Sequence, residues 1–160
     1  AARARRKEEL ARAPDLKGFK ALRVHISGNT MVVAGHKHPG TAIPRAAGFN
    51  ADTDKLLWQE ELAMANKSSV REVFNFDALV KGRYVAVYGT GQDTWHVTAL
   101  DAKTGDRIWD TKLRPLFAVD SIDDLVVTDR HAFIVRTSSM EIFDVRKGKL
   151  LGTAGSETYD

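Results

Sequence analysis

Three segments of eleven residues align with one another without gaps, and this internal repeat limits the fold more than any other feature of the sequence. The segments are 48–58, 99–109 and 142–152, and their starting points are 51 and 43 residues apart. Each pair of segments shares residues at matching positions. Self-similarity at a spacing of tens of residues is typical of repeat architectures. We therefore predict that the chain contains three copies of one supersecondary unit.

Each segment has the pattern of a strand, a tight turn and a second strand. The third position holds a side chain that can accept hydrogen bonds from backbone N–H groups two residues further on. These capping residues are Asn50, Asp101 and Asp144. Four residues later stands Gly105 or Gly148, where a left-handed backbone conformation is cheap only for glycine, with Asp and Asn next best. Asp54 occupies this position in the first segment and is compatible with the same geometry at a higher cost.

Two further strand signals precede each segment, separated by short turns rich in Gly, Asp and Ser. The alternation of Val85 and Val87 with Ala86 and Tyr88 is typical of such strands. Four short antiparallel strands in about 40–50 residues form the blade of a β-propeller. The sequence therefore predicts an all-β chain of three four-stranded antiparallel blades.

The second segment, ALDAKTGDRIW, resembles the signature of the pyrroloquinoline-quinone-like, or quinoprotein-type, propeller repeat. In that family, the Ala, Asp, Gly and Trp of this span form a docking motif between blades. The resemblance covers residues 20–153 and implies that Trp109 stacks on the turn of the neighbouring blade. Blade three departs from the pattern, because Gly152 stands where the tryptophan is expected. The implied docking residues are Trp58, Ala99, Asp101, Gly105, Trp109, Asp144 and Gly148.

The resemblance divides the chain into a basic N-terminal arm, three blades and a short tail. The boundaries are 1–18 for the arm, 19–65, 66–115 and 116–155 for the blades, and 156–160 for the tail. Because propellers typically have 4–8 blades, three blades form an incomplete ring. Either further blades extend it or copies of the chain assemble into a closed homo-oligomeric ring. We favour further blades, because the repeat begins soon after a residue that is not methionine.

The charge of the chain lies mostly at one end. Residues 1–25 hold eight Lys and Arg against three acids, a balance of +5, and since the whole chain carries +3 the remainder carries −2. A basic arm can bind nucleic acid or an anionic membrane surface, but a solvated linker is the interpretation we favour. Aromatic residues are not interleaved with the basic ones, so we expect no nucleic-acid partner. No apolar run approaches the length of a membrane span.

Few residues suggest catalysis or metal binding. The absence of cysteine excludes disulfides and thiolate chemistry. His36 and His38 could ligate one metal ion from the same side of an extended strand, but we favour an exposed loop there and expect no metal site. Asp120, Asp123 and Asp124 could bind calcium or simply keep a loop solvated. We expect no cofactor and no enzymatic activity, since three blades cannot enclose a central cofactor.

The function that we predict is that of a non-enzymatic scaffold, whose blade loops hold a protein partner. The long loop 35–45 is the most individual segment, and His36, Lys37, His38 and Arg45 are its candidate contact residues. The alternative is that the chain is a fragment of a larger quinoprotein-type enzyme, with its catalytic residues on other blades. The resemblance implies a bacterial protein in an extracytoplasmic location, although the sequence leaves a cytoplasmic one open.

Overall fold

The computed structural model describes residues 16, 18–37, 44–62, 76–89, 95–113 and 121–155. The regular structure of these residues consists of β-strands. In chain order they are β1 Phe19–Ser27, β2 Thr30–Lys37, β3 Pro44–Asn50, β4 Leu56–Glu61, β5 Phe76–Val80, β6 Arg83–Gly89, β7 Trp95–Asp101, β8 Arg107–Lys112, β9 Ile122–Val127, β10 His131–Arg136, β11 Ser139–Asp144 and β12 Leu150–Gly155. Within these ranges, no helix is long and apolar enough to cross a bilayer. Most of the proposed basic arm and the whole tail lie outside the described residues.

The strands form three antiparallel sheets, each of four strands paired in the order of the sequence. Blade one is β1–β4, blade two is β5–β8 and blade three is β9–β12. The prediction of an all-β chain with three four-stranded blades is confirmed, and the sheets do not close into a ring. Strand β5 contacts β1 on one side and β9 on the other. The blades therefore meet along their first strands, an edge that we call the inner edge.

The connection between β2 and β3 differs from the long loop predicted at 35–45. Strand β2 continues to Lys37, and Gly35 pairs with Arg45 while His36 pairs with Pro44. Proline is tolerated here because it opens β3, where its missing N–H weakens the ladder least. The ladder thus takes both ends of the predicted loop, and residues 38–43 between the strands lie outside the described part of the chain.

The turn between the third and fourth strand has the same construction in all three blades. In blade two, Asp101 Oδ1 accepts hydrogen bonds from the N–H groups of Lys103 at 2.8 Å and Thr104 at 3.2 Å. Gly105 and Gly148 then adopt φ values of 75° and 69°. Asp54 adopts 57° at the same position of blade one. The turn therefore requires a left-handed residue even where the sequence does not supply glycine.

A tryptophan from each of the first two blades packs on this turn in the next blade. The Trp58 indole N–H donates to the Ala102 carbonyl at 2.8 Å, and a Cβ built on Gly105 would lie 2.6 Å from the Trp58 ring. Trp109 repeats the arrangement, with its indole N–H 2.8 Å from the Val145 carbonyl oxygen. A Cβ on Gly148 would lie 2.5 Å from the Trp109 ring. Glycine is thus needed for space as well as for its conformation.

Two apolar cores fill the spaces between blades. The core between blades one and two contains Val32, Ala34, Ala46, Trp58, Leu62, Tyr84, Ala86, Tyr88, Leu100 and Ala102. The core between blades two and three contains Val85, Val87, Val97, Ala99, Trp109, Leu113, Ile122, Leu125, Ala132, Ile134, Phe143 and Val145. In each core the Trp is almost fully buried. These cores and the two docked indoles hold the three sheets in a fixed arrangement.

The two end faces of the array differ in exposure. The face of blade one that points away from blade two is buried: Val33 and Ala47 are 0% exposed, Phe49 is 1% exposed, and Leu16 packs against them. The corresponding outward face of blade three, which we call the outer face, carries half-buried Phe133 and a Val126 that is 45% exposed. An apolar surface therefore remains uncovered by the described residues at one end only.

Candidate functional site

A buried carboxylate joins blades one and two at the inner edge. Asp77 extends from β5, and its side chain is 1% exposed. Its Oδ2 accepts a hydrogen bond from the Tyr84 hydroxyl at 2.8 Å. Its Oδ1 lies 2.8 Å from Nε2 of His25 and 3.3 Å from Nη1 of Arg23, both on β1 of the neighbouring blade. We call these four residues the inner-edge cluster.

The cluster keeps Asp77 ionised despite its burial. Burial by itself would raise the pKa of Asp77, but the hydrogen bond and charge of His25 and the charge of Arg23 outweigh it, so the pKa lies below its ordinary value. Burial and the adjacent negative charge of Asp77 raise the pKa of the Tyr84 phenol well above its usual range. The tyrosine is thus held neutral as a hydrogen-bond donor to the carboxylate.

The cationic members of the cluster remain accessible. The side chains of His25 and Arg23 are 30% and 25% exposed, while Asp77 behind them is almost fully covered. A carboxylate that fixes an imidazole and a guanidinium in this way presents donors to a ligand at the inner edge. The arrangement can bind an anionic or hydroxyl-bearing group, and the oriented histidine can exchange a proton with it.

A second polar network fastens the end of blade one to blade two. The Tyr88 hydroxyl donates to the Leu62 carbonyl at 2.8 Å and contacts the Thr98 hydroxyl at 2.7 Å. Burial raises the pKa of Tyr88 to about 12. Arg107 Nη2 donates to the same Leu62 carbonyl at 3.0 Å, and its Nη1 pairs with Asp110 at 2.6 Å. These bonds satisfy the backbone where β4 ends, so the network has a structural role.

The predicted docking residues fall into two groups in the structure. Trp58, Gly105, Trp109 and Gly148 form the two indole–glycine contacts between blades. Asp101 and Asp144 cap the turns, and hydrogen bonds from the N–H groups of Arg146 and Lys147 are the main reason that the pKa of Asp144 is lowered. Ala99 lies in β7 opposite Trp109, where a small side chain leaves space for the ring.

The residues proposed for a partner or a metal are not brought together. His36 lies half-buried in β2, whereas His38 lies outside the described residues. Arg45 pairs with Glu61 across β3 and β4 at 2.9 Å. Asp123 and Asp124 lie exposed in β9, and Asp123 accepts a hydrogen bond from the Ser121 hydroxyl at 2.6 Å. Among the described residues, no three His, Asp or Glu side chains could share one metal ion.

The sequence analysis did not identify the inner-edge cluster. One signal was available, because Asp77 is the only charged residue in the otherwise apolar strand Phe76–Val80. An ionisable residue within an apolar strand is rarely buried unless it is paired. The partners of Asp77 could not be assigned, because Arg23 and His25 lie more than fifty residues away in another sheet.

Comparison with solved structures places this arrangement among the β-propellers. The chain is similar to a europium-containing methanol dehydrogenase, with a TM-score of 0.63 and 16% identity, over 96% of this chain and 29% of that one. For the quinohemoprotein alcohol dehydrogenase from Pseudomonas putida HK5, the TM-score is 0.61 and the identity 14%, over 84% of this chain and 26% of that one. The chain thus spans less than a third of either dehydrogenase.

A third similar structure is the β-propeller domain of the Trilobed protease from Pyrococcus furiosus, described as having an open velcro topology. Its TM-score is 0.57 and its identity 10%, over 91% of this chain and 46% of that one. No protein-family model and no curated protein sequence matches the chain. At these identities, the similarities show the propeller fold.

The expectation that the chain has no enzymatic role is wrong. The two dehydrogenases are enzymes, and this chain shares the fold of part of each. The expectation rested on the inability of three blades to enclose a cofactor. That argument fails for a propeller in which three blades are only a portion of the ring, because the enclosure is then completed by the other blades.

Proposed function

We propose that this chain is a three-blade section of a larger quinoprotein-type propeller enzyme that oxidises alcohols. The observation that carries the proposal is the docking of Trp58 on Gly105 and of Trp109 on Gly148 in the register of that repeat. The fold shared with two quinone-type alcohol dehydrogenases supports it. On the same ground, we propose an extracytoplasmic location.

Within such an enzyme, the described residues would serve the site from its periphery. They do not supply a set of ligands for the metal ion of a quinoprotein, because no group of three carboxylate or imidazole side chains converges in the described ranges. We therefore assign no chemical step through a metal or a quinone to these residues. The proposed contribution of this section is a rigid wall with the inner-edge cluster facing the propeller axis.

The inner-edge cluster gives this section a candidate contact with the substrate or cofactor. His25 and Arg23 are partly exposed and are held by the buried Asp77 carboxylate. A guanidinium binds carboxylates well because of its planar geometry, and pyrroloquinoline quinone carries carboxylate groups. We therefore expect substitution of Arg23 or His25 to impair turnover in the intact protein without unfolding it.

The test is a dye-linked alcohol oxidation assay on the intact protein, loaded with pyrroloquinoline quinone and calcium or a lanthanide ion. We expect quinone-dependent reduction of the dye, and a loss of roughly tenfold or more for Arg23→Ala, as is typical when a charged contact is removed. Lys103→Ala, in an exposed turn of blade two, is the matched control and should retain full activity. An intact protein that neither binds the quinone nor oxidises any alcohol would overturn the proposal.

A further inference from the structure

The outer face of blade three presents a continuous row of apolar side chains. Val126, Phe133 and Ile142 lie opposite one another on β9, β10 and β11, and the row ends at Gly152 on β12. Val126 is 45% exposed, and Phe133 and Ile142 are half-buried. In blades one and two, the corresponding face is covered by the next blade. Apolar rows of this kind are unusual on a surface that stays in water.

The composition of this row is reversed relative to the other two blades. Blade one places the small Gly48 opposite Trp58, and a Cβ on Gly48 would lie 2.0 Å from the indole nitrogen. Blade three places Ile142 opposite Gly152, so the large residue is on the third strand and the small one on the fourth. The face therefore offers no indole to a following blade, and Ile142 occupies the space that an indole would need.

Opposite charges flank the row at its two ends. At one end, the side chains of Arg130, His131 and Arg146 line a cavity of about 240 Å³ together with Asp144, which already accepts hydrogen bonds from two backbone N–H groups. At the other end, the β9 carboxylate of Asp124 is exposed in the row of Val135. The face is thus basic at one end, apolar in the middle and acidic at the other end.

We infer that this outer face binds the same face of a second copy of the chain about a two-fold axis near Phe133. His131 lies two residues before Phe133, and the row of Asp124 lies two residues after it. Each end is therefore about 7 Å from the axis, at roughly 3.3 Å per residue. A two-fold rotation then places Arg146 and Arg130 of one copy over Asp124 and Asp123 of the other, while the apolar rows cover each other.

The other end of the chain does not offer a competing surface. The outward face of blade one is already buried, with Val33 at 0% and Phe49 at 1% exposure. Its turn also carries Asp54 where an indole would require glycine. A head-to-tail contact between blade three of one copy and blade one of another therefore lacks both an open apolar face and the docking pair. This association does not depend on the proposed enzymatic function.

The size of the face sets the expected strength of the contact. Four strands about 4.8 Å apart and six residues long give roughly 400 Å² per copy. This is near the lower end of specific interfaces, so we expect a weak dimer with a dissociation constant on the order of micromolar. Sedimentation equilibrium from roughly 1 to 200 μM brackets this range. The mass should rise towards twice the 17.7 kDa of one chain and stop there.

A charge exchange tests the orientation of the two copies. Asp124→Arg and Arg146→Glu should each weaken the dimer about tenfold or more, because like charges then face each other. The double variant restores opposite charges across the interface and should restore the dimer. Lys103→Glu, at the turn position of blade two that corresponds to Arg146, is the matched control and should have no effect.

Three results would overturn the inference. One is a mass that stays at a single chain over the whole concentration range. Another is a mass that grows beyond two chains, which would indicate head-to-tail association. The third is a double variant that remains as weak as the single ones although its thermal unfolding is unchanged. If Asp124→Arg does not fold because the Leu125 N–H loses its acceptor, Asp123→Arg replaces it in the same design.

Discussion

Gly82 and Gly105 share one backbone conformation but have different surroundings, and this pair isolates the contribution of the docked tryptophan. Their φ values are 74° and 75°. A Cβ on Gly82 meets no atom within 4 Å, whereas a Cβ on Gly105 would lie 2.6 Å from the Trp58 ring. Gly82→Ala therefore measures conformational strain alone. Gly105→Ala adds the displacement of the indole.

The difference between the two substitutions can be calculated from its parts. The left-handed conformation costs alanine about 1–2 kcal/mol at either position. Overfilling a packed contact costs about 1–3 kcal/mol more. Moving Trp58 also lengthens its 2.8 Å hydrogen bond to the Ala102 carbonyl, which contributes about 1 kcal/mol. We therefore expect Gly105→Ala to destabilise the chain by about 2–4 kcal/mol more than Gly82→Ala.

The assay is urea unfolding followed by tryptophan fluorescence and circular dichroism. A double-mutant cycle with Trp58→Ala identifies the source of the difference. In the Trp58→Ala background, the cost of Gly105→Ala should fall to that of Gly82→Ala, since the ring that it displaces is gone. Equal costs for the two glycine substitutions in the wild-type background, or a cycle without coupling, would refute the docking argument.

Three further substitutions test the polar groups and the strained turn. Asp77→Asn should lower the free energy of unfolding at pH 7 by about 2–4 kcal/mol, by breaking a buried ionic contact; because the pKa of Asp77 is lowered by folding, its contribution is present above pH ~4 and is lost as the pH falls, so urea unfolding of the two proteins should converge in acid while the exposed Asp123→Asn control shows no such effect. Tyr88→Phe should cost about 1–2 kcal/mol at pH 7 by leaving the Leu62 carbonyl without this donor; folding raises the pKa of Tyr88 to about 12, so the wild-type advantage should disappear between pH ~10 and ~12 in alkaline unfolding experiments. Asp54→Gly should raise the melting free energy by up to about 1 kcal/mol, since φ is 57° there, and calorimetry showing a loss of stability would contradict this.

The blades could be predicted from the sequence because their signals are local. A capping Asn50 or Asp101, a left-handed residue four positions later and a short apolar strand on either side lie within eleven residues. Strand ends were less certain, as β2 and β3 show. Their ladder continues through His36 and Pro44, because pairing between strands extends until the geometry stops it, and no residue in the sequence marks that point.

The inner-edge cluster could not be predicted, because its geometry is set by contacts between sheets. Asp77 meets His25 only when β5 of blade two lies beside β1 of blade one. The repeat predicts that blades are neighbours, but the side chains that face each other depend on the tilt between two sheets. Periodicity within each strand contains no information on that tilt, so the apolar residues were assigned correctly to strands and the single buried carboxylate was not singled out.

The docking of each tryptophan has a direction, and this makes the opening of the blades unequal. Blade two receives Trp58 on its turn and inserts Trp109 into blade three, whereas blades one and three each take part in one such contact. Detaching either end blade leaves the other contact intact, but detaching blade two requires the loss of both. Amide hydrogen exchange should therefore be slowest in β6 and β7, and fraying should start from the ends of the array.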